Sequence, residues 1–204
     1  MKLSILSLTL SGVLALGLSS SDAAVSIQAS DTSALIGSTG NTFDVFVVSP
    51  PEDTAVGIAA FSVDLHFLPF DLGARITGVT QSGSNYLFPT SLDTFVDAPS
   101  IFNNGQSVNF GDVILTQNAS VMFGPGESAL LGRVSFDVDM ATPPGDYGIT
   151  ITGPPPGGLS QLDDINGDGI GFTGSTATLT IVPEPGSTIL ALLGLLLLPL
   201  RRQR

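Results

Sequence analysis

The clearest pattern in the chain lies in residues 57–67. Phe61, Val63, Leu65 and Phe67 fall on one face there, and Ser62, Asp64 and His66 on the other. This period-two alternation is that of a half-buried β-strand. It recurs at Val25, Ile27 and Ala29, and again at Phe43, Val45 and Val47 after the turn-rich Gly37-Ser38-Thr39-Gly40-Asn41. Residues 107–115 alternate through Val108, Phe110 and Val113, a spacing that predicts a bulge near Gly111. Residues 129–140 carry Leu131, Val134, Phe136 and Val138, and shorter strands are expected around Ile76 and Val79, at 147–152 and at 176–182. Pro50 and Pro51 break the ladder because neither has a backbone donor. The stretch 82–104 reads as a long irregular loop whose Tyr86, Phe88, Phe95 and Phe102 tuck onto the core. The GPPPGG run at 153–158 is a rigid loop. No stretch between Val25 and Val182 has helical periodicity. Eight or nine short strands at this spacing predict an all-β fold, an antiparallel β-sandwich of two packed sheets.

Both ends depart from this pattern. Lys2 precedes an apolar run over 3–18, then Ser19, Ser20, Ser21, Asp22, Ala23 and Ala24. Residues 1–23 therefore have the layout of a signal peptide, with Ser21-x-Ala23 as the small-residue cleavage site. At the other end Val182-Pro183-Glu184-Pro185-Gly186 leads into the apolar STILALLGLLLLPL of 187–200, and Arg201, Arg202 and Arg204 follow. A helix over 185–200 would be slightly short of a membrane span. By the positive-inside rule the arginines would act as a membrane stop, staying in the cytoplasm while the β domain faces outward. The expected organisation is a signal peptide (1–23), one β domain (24–182) and a tail (183–204).

Composition sharpens this reading. Setting the ends aside leaves sixteen acidic residues and only Arg75 and Arg133 as bases between 24 and 183, a balance near −14 without a single lysine. Such a domain is repelled by nucleic acid phosphates and anionic lipid, so neither is an expected partner. The absence of cysteine excludes disulfides, thiolate metal sites and cysteine nucleophiles. Stability has to come from a core, and about 160 residues suffice to build one.

The candidates for chemistry are few. Asp164-Ile165-Asn166-Gly167-Asp168-Gly169 spells the first half of an EF-hand calcium loop. Its twelfth position is Ser175 rather than an acid, and GPPPGG cannot supply the entering helix. Two readings stand: a partial calcium site from Asp163, Asp164, Asn166 and Asp168, or an acidic solvated turn. His66 is the only histidine, with Asp64 and Ser62 beside it, but no nucleophile motif accompanies them and a surface role is expected. Tyr86 and Tyr147 are the only amphipathic rings and tryptophan is absent, which weakens a glycosidase reading. No catalytic residues are assigned.

Two resemblances follow from these residues. VPEPGS, an apolar helix and the RRQR end together resemble the PEP-CTERM sorting signal of bacteria that make exopolysaccharide. The resemblance implies that an exosortase, a membrane protease-transpeptidase, recognises Pro183, Glu184 and Pro185 and removes the helix, leaving the protein in the envelope or extracellular matrix. The order VSIQAS, TFDVFVVS, GIAAFSVDLHFLPFDLGARITGVTQ, LLGRVSFDVDMATPPGDYGITITG and DINGDGI before ATLTIV is similar to a cohesin-type domain. This second resemblance implies a nine-stranded jelly roll related in architecture to carbohydrate-binding modules. Leu68-Pro69-Phe70-Asp71 stands where that family usually has a tyrosine-aspartate step. The expected function is a non-catalytic surface or matrix protein whose sandwich binds a polysaccharide or a protein.

Overall fold

The computed structural model describes residues 25–154, 156, 158–184 and 186. Along the chain run β1 (Ser26–Ala29), β2 (Thr32–Leu35), β3 (Asn41–Val48), β4 (Val56–Ile58), β5 (Ala60–Leu68), β6 (Ala74–Thr80) and β7 (Thr94–Phe102). A 3-10 turn at Asn103–Gly105 leads to β8 (Ser107–Ile114), β9 (Val121–Phe123), β10 (Ser128–Val138), β11 (Gly145–Ile151), β12 (Gln161–Asp163), β13 (Thr173–Gly174) and β14 (Thr176–Val182). One sheet has the order β13-β1-β3-β10-β6, a second β2-β14-β11-β5-β8-β7 with β12 also paired to β5, and β4 and β9 form a small third sheet. The alternation at 57–67 dictates the centre of the second sheet. Phe61, Val63, Leu65 and Phe67 point inward and are essentially buried, each contributing about 1.5–3 kcal/mol of apolar burial. Across the interior Phe67 meets Phe43 and Phe136 from the first sheet at ring separations of 6.1 and 5.7 Å.

The sandwich is antiparallel except where its edges close. The chain leaves β1 in one sheet, turns at Ser30-Asp31 and enters β2 in the other; β13 and β14 repeat this switch, so β1–β13 and β2–β14 pair in parallel. Asp31 fixes the crossing, its Oδ1 accepting the Thr178 amide at 2.8 Å.

Three sequence expectations are corrected. Residues 94–102 are not loop but the nine-residue edge strand β7, paired to β8. Phe95 and Phe102 do not tuck onto the core; both are more than half exposed, whereas Phe88 is buried and Tyr86 half-buried as expected. The first sheet ends at β6, so β7 has both faces open and shows no apolar side to read. The bulge lies not in β8 at Gly111 but across from it, where the β7 register shifts between Asp97 and Ser100, around Pro99. The unbroken β8 register points Asp112 inward and leaves Val113 outward. Gly111 serves another purpose: a Cβ there would collide with the Phe61 carbonyl of β5.

Asp112, 3% exposed, is held by the Tyr86 hydroxyl, which donates to Oδ2 at 2.7 Å. Burial first, and then this carboxylate, push the Tyr86 hydroxyl far above the ordinary phenol value. Asp164 Oδ1 accepts the amides of Asn166 at 2.8 Å and Asp168 at 2.9 Å, tying the 164–168 turn. The Asp168 amide above all, then that of Asn166, hold the Asp164 carboxyl below its usual range.

Two outcomes follow. Tyr86→Phe leaves Asp112 Oδ2 buried without its donor, and urea denaturation is expected to show a loss of about 1–3 kcal/mol; an unchanged midpoint would contradict the role. The folded-state value of Asp164 lies below its unfolded value. Its stabilisation is therefore complete above the ordinary carboxylate range and lost as pH falls through the lowered value. A carboxyl-carbon NMR titration should find the Asp164 midpoint below those of ordinary aspartates, and a midpoint at or above them would refute the amide-held turn.

Candidate functional site

The outward face of β11-β5-β8-β7 gathers polar groups at its centre. Backbone register sets Ser62 opposite Gly111, Asp64 opposite Asn109, and His66 between Ser107 on β8 and Thr150 on β11. His66 Nε2 lies 2.8 Å from Asp64 Oδ2, and Nδ1 lies 2.8 Å from Ser107 Oγ. Asp64 offers only acceptors when ionised, so Nε2 carries the proton and, in the neutral ring, Nδ1 accepts from Ser107. Asn103 Nδ2 donates to the same Ser107 oxygen at 3.0 Å. The Asp64 carboxylate also takes the Thr152 hydroxyl at 3.3 Å, and its amide donates to Ser160 Oγ at 2.9 Å.

The serine beside His66 is therefore Ser107 rather than Ser62, whose hydroxyl pairs with Asn109 instead. An acid, an imidazole and a serine do line up as in a hydrolytic triad. However, Ser107 is 1% exposed and already engaged by two side chains. A nucleophile has to reach a carbonyl carbon beside oxyanion donors, and a covered hydroxyl cannot. The row works as a hydrogen-bonded clamp that keeps this face rigid.

Around the clamp exposed rings share the face with Asp97, Gln161 and Asp163. Phe102 stands opposite Ser107 and Phe95 opposite Val113, with Leu68 at the end of β5; Phe95 is 56% and Phe102 51% exposed. Phe70, just beyond β5, packs edge-on to His66 at 6.0 Å. Large rings projecting from a regular sheet into water make this face the candidate for an interaction surface. Pro99 and its bulge interrupt the free edge of β7, which limits strand-on-strand addition there. The sequence reading missed this rim. Its signal was Thr94-Phe95-Val96 and Ser100-Ile101-Phe102 on either side of Pro99, followed by the Asn-Asn-Gly hairpin turn.

Of the remaining sequence candidates Asp163 borders the same sheet, and the others sit elsewhere. Asp163 Oδ1 accepts from Gln161 Nε2 at 2.7 Å and lines a small cleft of about 140 Å³ with Asp97 and Phe95. Asp164 is directed to its own turn, and Asn166 Nδ2 donates to its Oδ2 at 3.2 Å. Among the described residues no three histidine, cysteine or acidic side chains converge as a metal ion would need. Arg133 makes a two-pronged pair with Asp44, at 2.7 and 2.9 Å, and Arg75 reaches Asp139 at 3.1 Å. Pro183 and Glu184 follow β14 and are exposed. Pro185, Arg201, Arg202 and Arg204, the apolar run 187–200 and the signal segment 1–23 lie outside the described residues. Among the described residues no helix is long and apolar enough to cross a membrane.

No family model matches the sequence, and no curated protein matches it. Solved structures do. A chain of a type I cohesin–dockerin complex from Clostridium thermocellum aligns with a TM-score of 0.57 at 13% identity, covering 80% of this chain and 96% of its own. A non-cellulosomal cohesin from the archaeon Archaeoglobus fulgidus aligns at 0.52 and 15% identity, covering 81% and 96%. The seventh ScaB type I cohesin from Pseudobacteroides cellulosolvens aligns at 0.52 and 13%, covering 79% and 94%. At such identities the likeness is one of fold: the chain is a cohesin-like all-β sandwich.

Proposed function

We propose that this protein is an exported, non-catalytic binding module that docks a protein partner on the outward face of β11-β5-β8-β7. The observation that carries the reading is the pair of half-exposed rings, Phe95 and Phe102, held on a sheet whose polar centre is locked by Asp64, His66 and Ser107. A rigid face with aromatic anchors loses little entropy on binding. The balance near −14 between residues 24 and 183, with both arginines already paired, favours a partner that is basic around an apolar centre. The cohesin–dockerin complex among the fold relatives supports a protein rather than a small molecule as the occupant.

The tail supports a destination. Pro183 has no amide hydrogen to extend the β14 ladder, and Glu184 is a solvated carboxylate beyond it. With Pro185, the apolar run and the terminal arginines they form the element an exosortase would read. The module would be held transiently in the inner membrane and then released to the envelope or extracellular matrix.

Photo-crosslinking residues placed at Phe102 and Phe95 in cells of the source organism should each trap the same partner, while one at Thr77 on the opposite sheet should not. Equal trapping from all three positions would overturn the docking face. Intact-mass analysis and fractionation of wild type against a variant with Pro183, Glu184 and Pro185 all changed to alanine test the destination. The wild type is expected to lose its tail and leave the membrane, and the variant to keep both; one shared intact C-terminus in one shared fraction would sink the sorting proposal.

A further inference from the structure

The register around β14 shows from which end of the sandwich the chain leaves. Val182 stands opposite Leu35 at the close of β2, and its carbonyl accepts the Ile36 amide at 3.1 Å. Through β11 the same level continues to Leu68 at the end of β5, with Phe70 just beyond it. Met140 follows β10 and reaches this end too, its sulfur lying over Gly37, which has no Cβ to obstruct it. These side chains stand in water: Leu35 is 41% exposed, Phe70 51% and Met140 80%.

Only residues 183–186 separate Val182 from the apolar run at 187–200. Fully extended, that stretch reaches at most about 18 Å from Val182 to Ser187. The headgroup layer of a bilayer is itself about 5–7 Å thick, so a run seated in the hydrocarbon core holds this end of the sandwich close to the lipid surface. Apolar side chains are exposed at the opposite end as well, Leu115 and Met122 among them, but the chain does not leave toward residue 187 from there. The tether selects the end.

Charge selects the lipid. Asp71, Asp137, Asp139, Asp146 and Glu184 surround the apolar side chains, with Arg75 as the one base beside them, paired to Asp139. Anionic headgroups would be repelled. Zwitterionic headgroups carry their ammonium group outermost and meet these acids without that repulsion, while the apolar side chains enter the interface below.

We infer that the end of the sandwich bearing Leu35, Phe70 and Met140 is a contact surface for zwitterionic lipid while the tail is in place. The inference rests on the reading of the tail as a membrane stop and adds to it a surface of the folded domain. Because the chain has no cysteine, single labels test it. Residues 24–204 are inserted into phosphatidylcholine vesicles with a fluorophore on Ala141→Cys at this end or Met122→Cys at the other, and lipid with a nitroxide high on its acyl chain serves as quencher. The label at 141 should lose roughly half of its fluorescence and the label at 122 almost none. Phe70→Ser and Leu35→Ser should each remove most of the loss at 141 with an unchanged melting temperature, and replacing half of the lipid by phosphatidylglycerol should reduce it. Vesicle flotation separates the two readings. Protein that does not float refutes the tail as a membrane element, and the contact surface falls with it. Protein that floats but is quenched equally at both labels, is quenched at 141 regardless of both substitutions, or is quenched more with phosphatidylglycerol overturns the contact surface alone.

Discussion

The apolar layer between the two sheets is the constraint on which this domain depends. Without cysteine, and with its arginine pairs at the surface, the chain has little else to hold two sheets together. The layer is fixed by the alternation of β5, whose four inward side chains are buried and whose Phe67 meets Phe43 of β3 and Phe136 of β10 across the interior. Period-two geometry then has a consequence on the other side. The residues interleaved with this apolar set, Ser62, Asp64 and His66, have to share the outward face, so the core pattern itself places the acid and the imidazole two residues apart on one surface.

That surface gains order from neighbours distant in sequence. Asp64 becomes buried because Thr152 and Ser160 close over it, and His66 is gripped because register sets Ser107 beside it. Rigidity at the centre and exposed rings at the rim are complementary properties: the hydrogen bonds fix the strands, and the strands hold Phe95 and Phe102 in water at a defined spacing. The same hairpin that sets Phe102 opposite Ser107 also carries the left-handed Asn103 and Asn104. Phe102 of the sheet face and the left-handed asparagines at the end of the sandwich thus come from one turn.

The strands that bury one face were legible: β3, β5, β10 and β14 announce themselves by alternation, and their inward residues are the ones buried. The edges were not. β7 lies beyond the end of the opposite sheet, so Val96 and Ile101 are exposed as well as Phe95 and Phe102 on its other side, and no alternation survives to be read. β2 is four residues long with only Ala34 buried. In β8 the parity of Val108, Phe110 and Val113 suggested a bulge because an inward Asp112 was not foreseen; the carboxylate is tolerated there only because Tyr86, far along the chain, supplies its donor.

By itself the sequence determined the all-β class, the central strands, the inward residues of β3, β5 and β10, the acidic balance and the composition of both ends. These depend on side-chain periodicity and on local chemistry, which neighbours along the chain suffice to express. Only the tertiary structure decided that Ser107 rather than Ser62 meets His66, that two aromatic residues expected in the core stand in water, and that Asp112 turns inward to meet Tyr86. Each of these depends on which strands pair, in which register, and where one sheet ends before the other, and such non-local geometry leaves no period in the sequence to read.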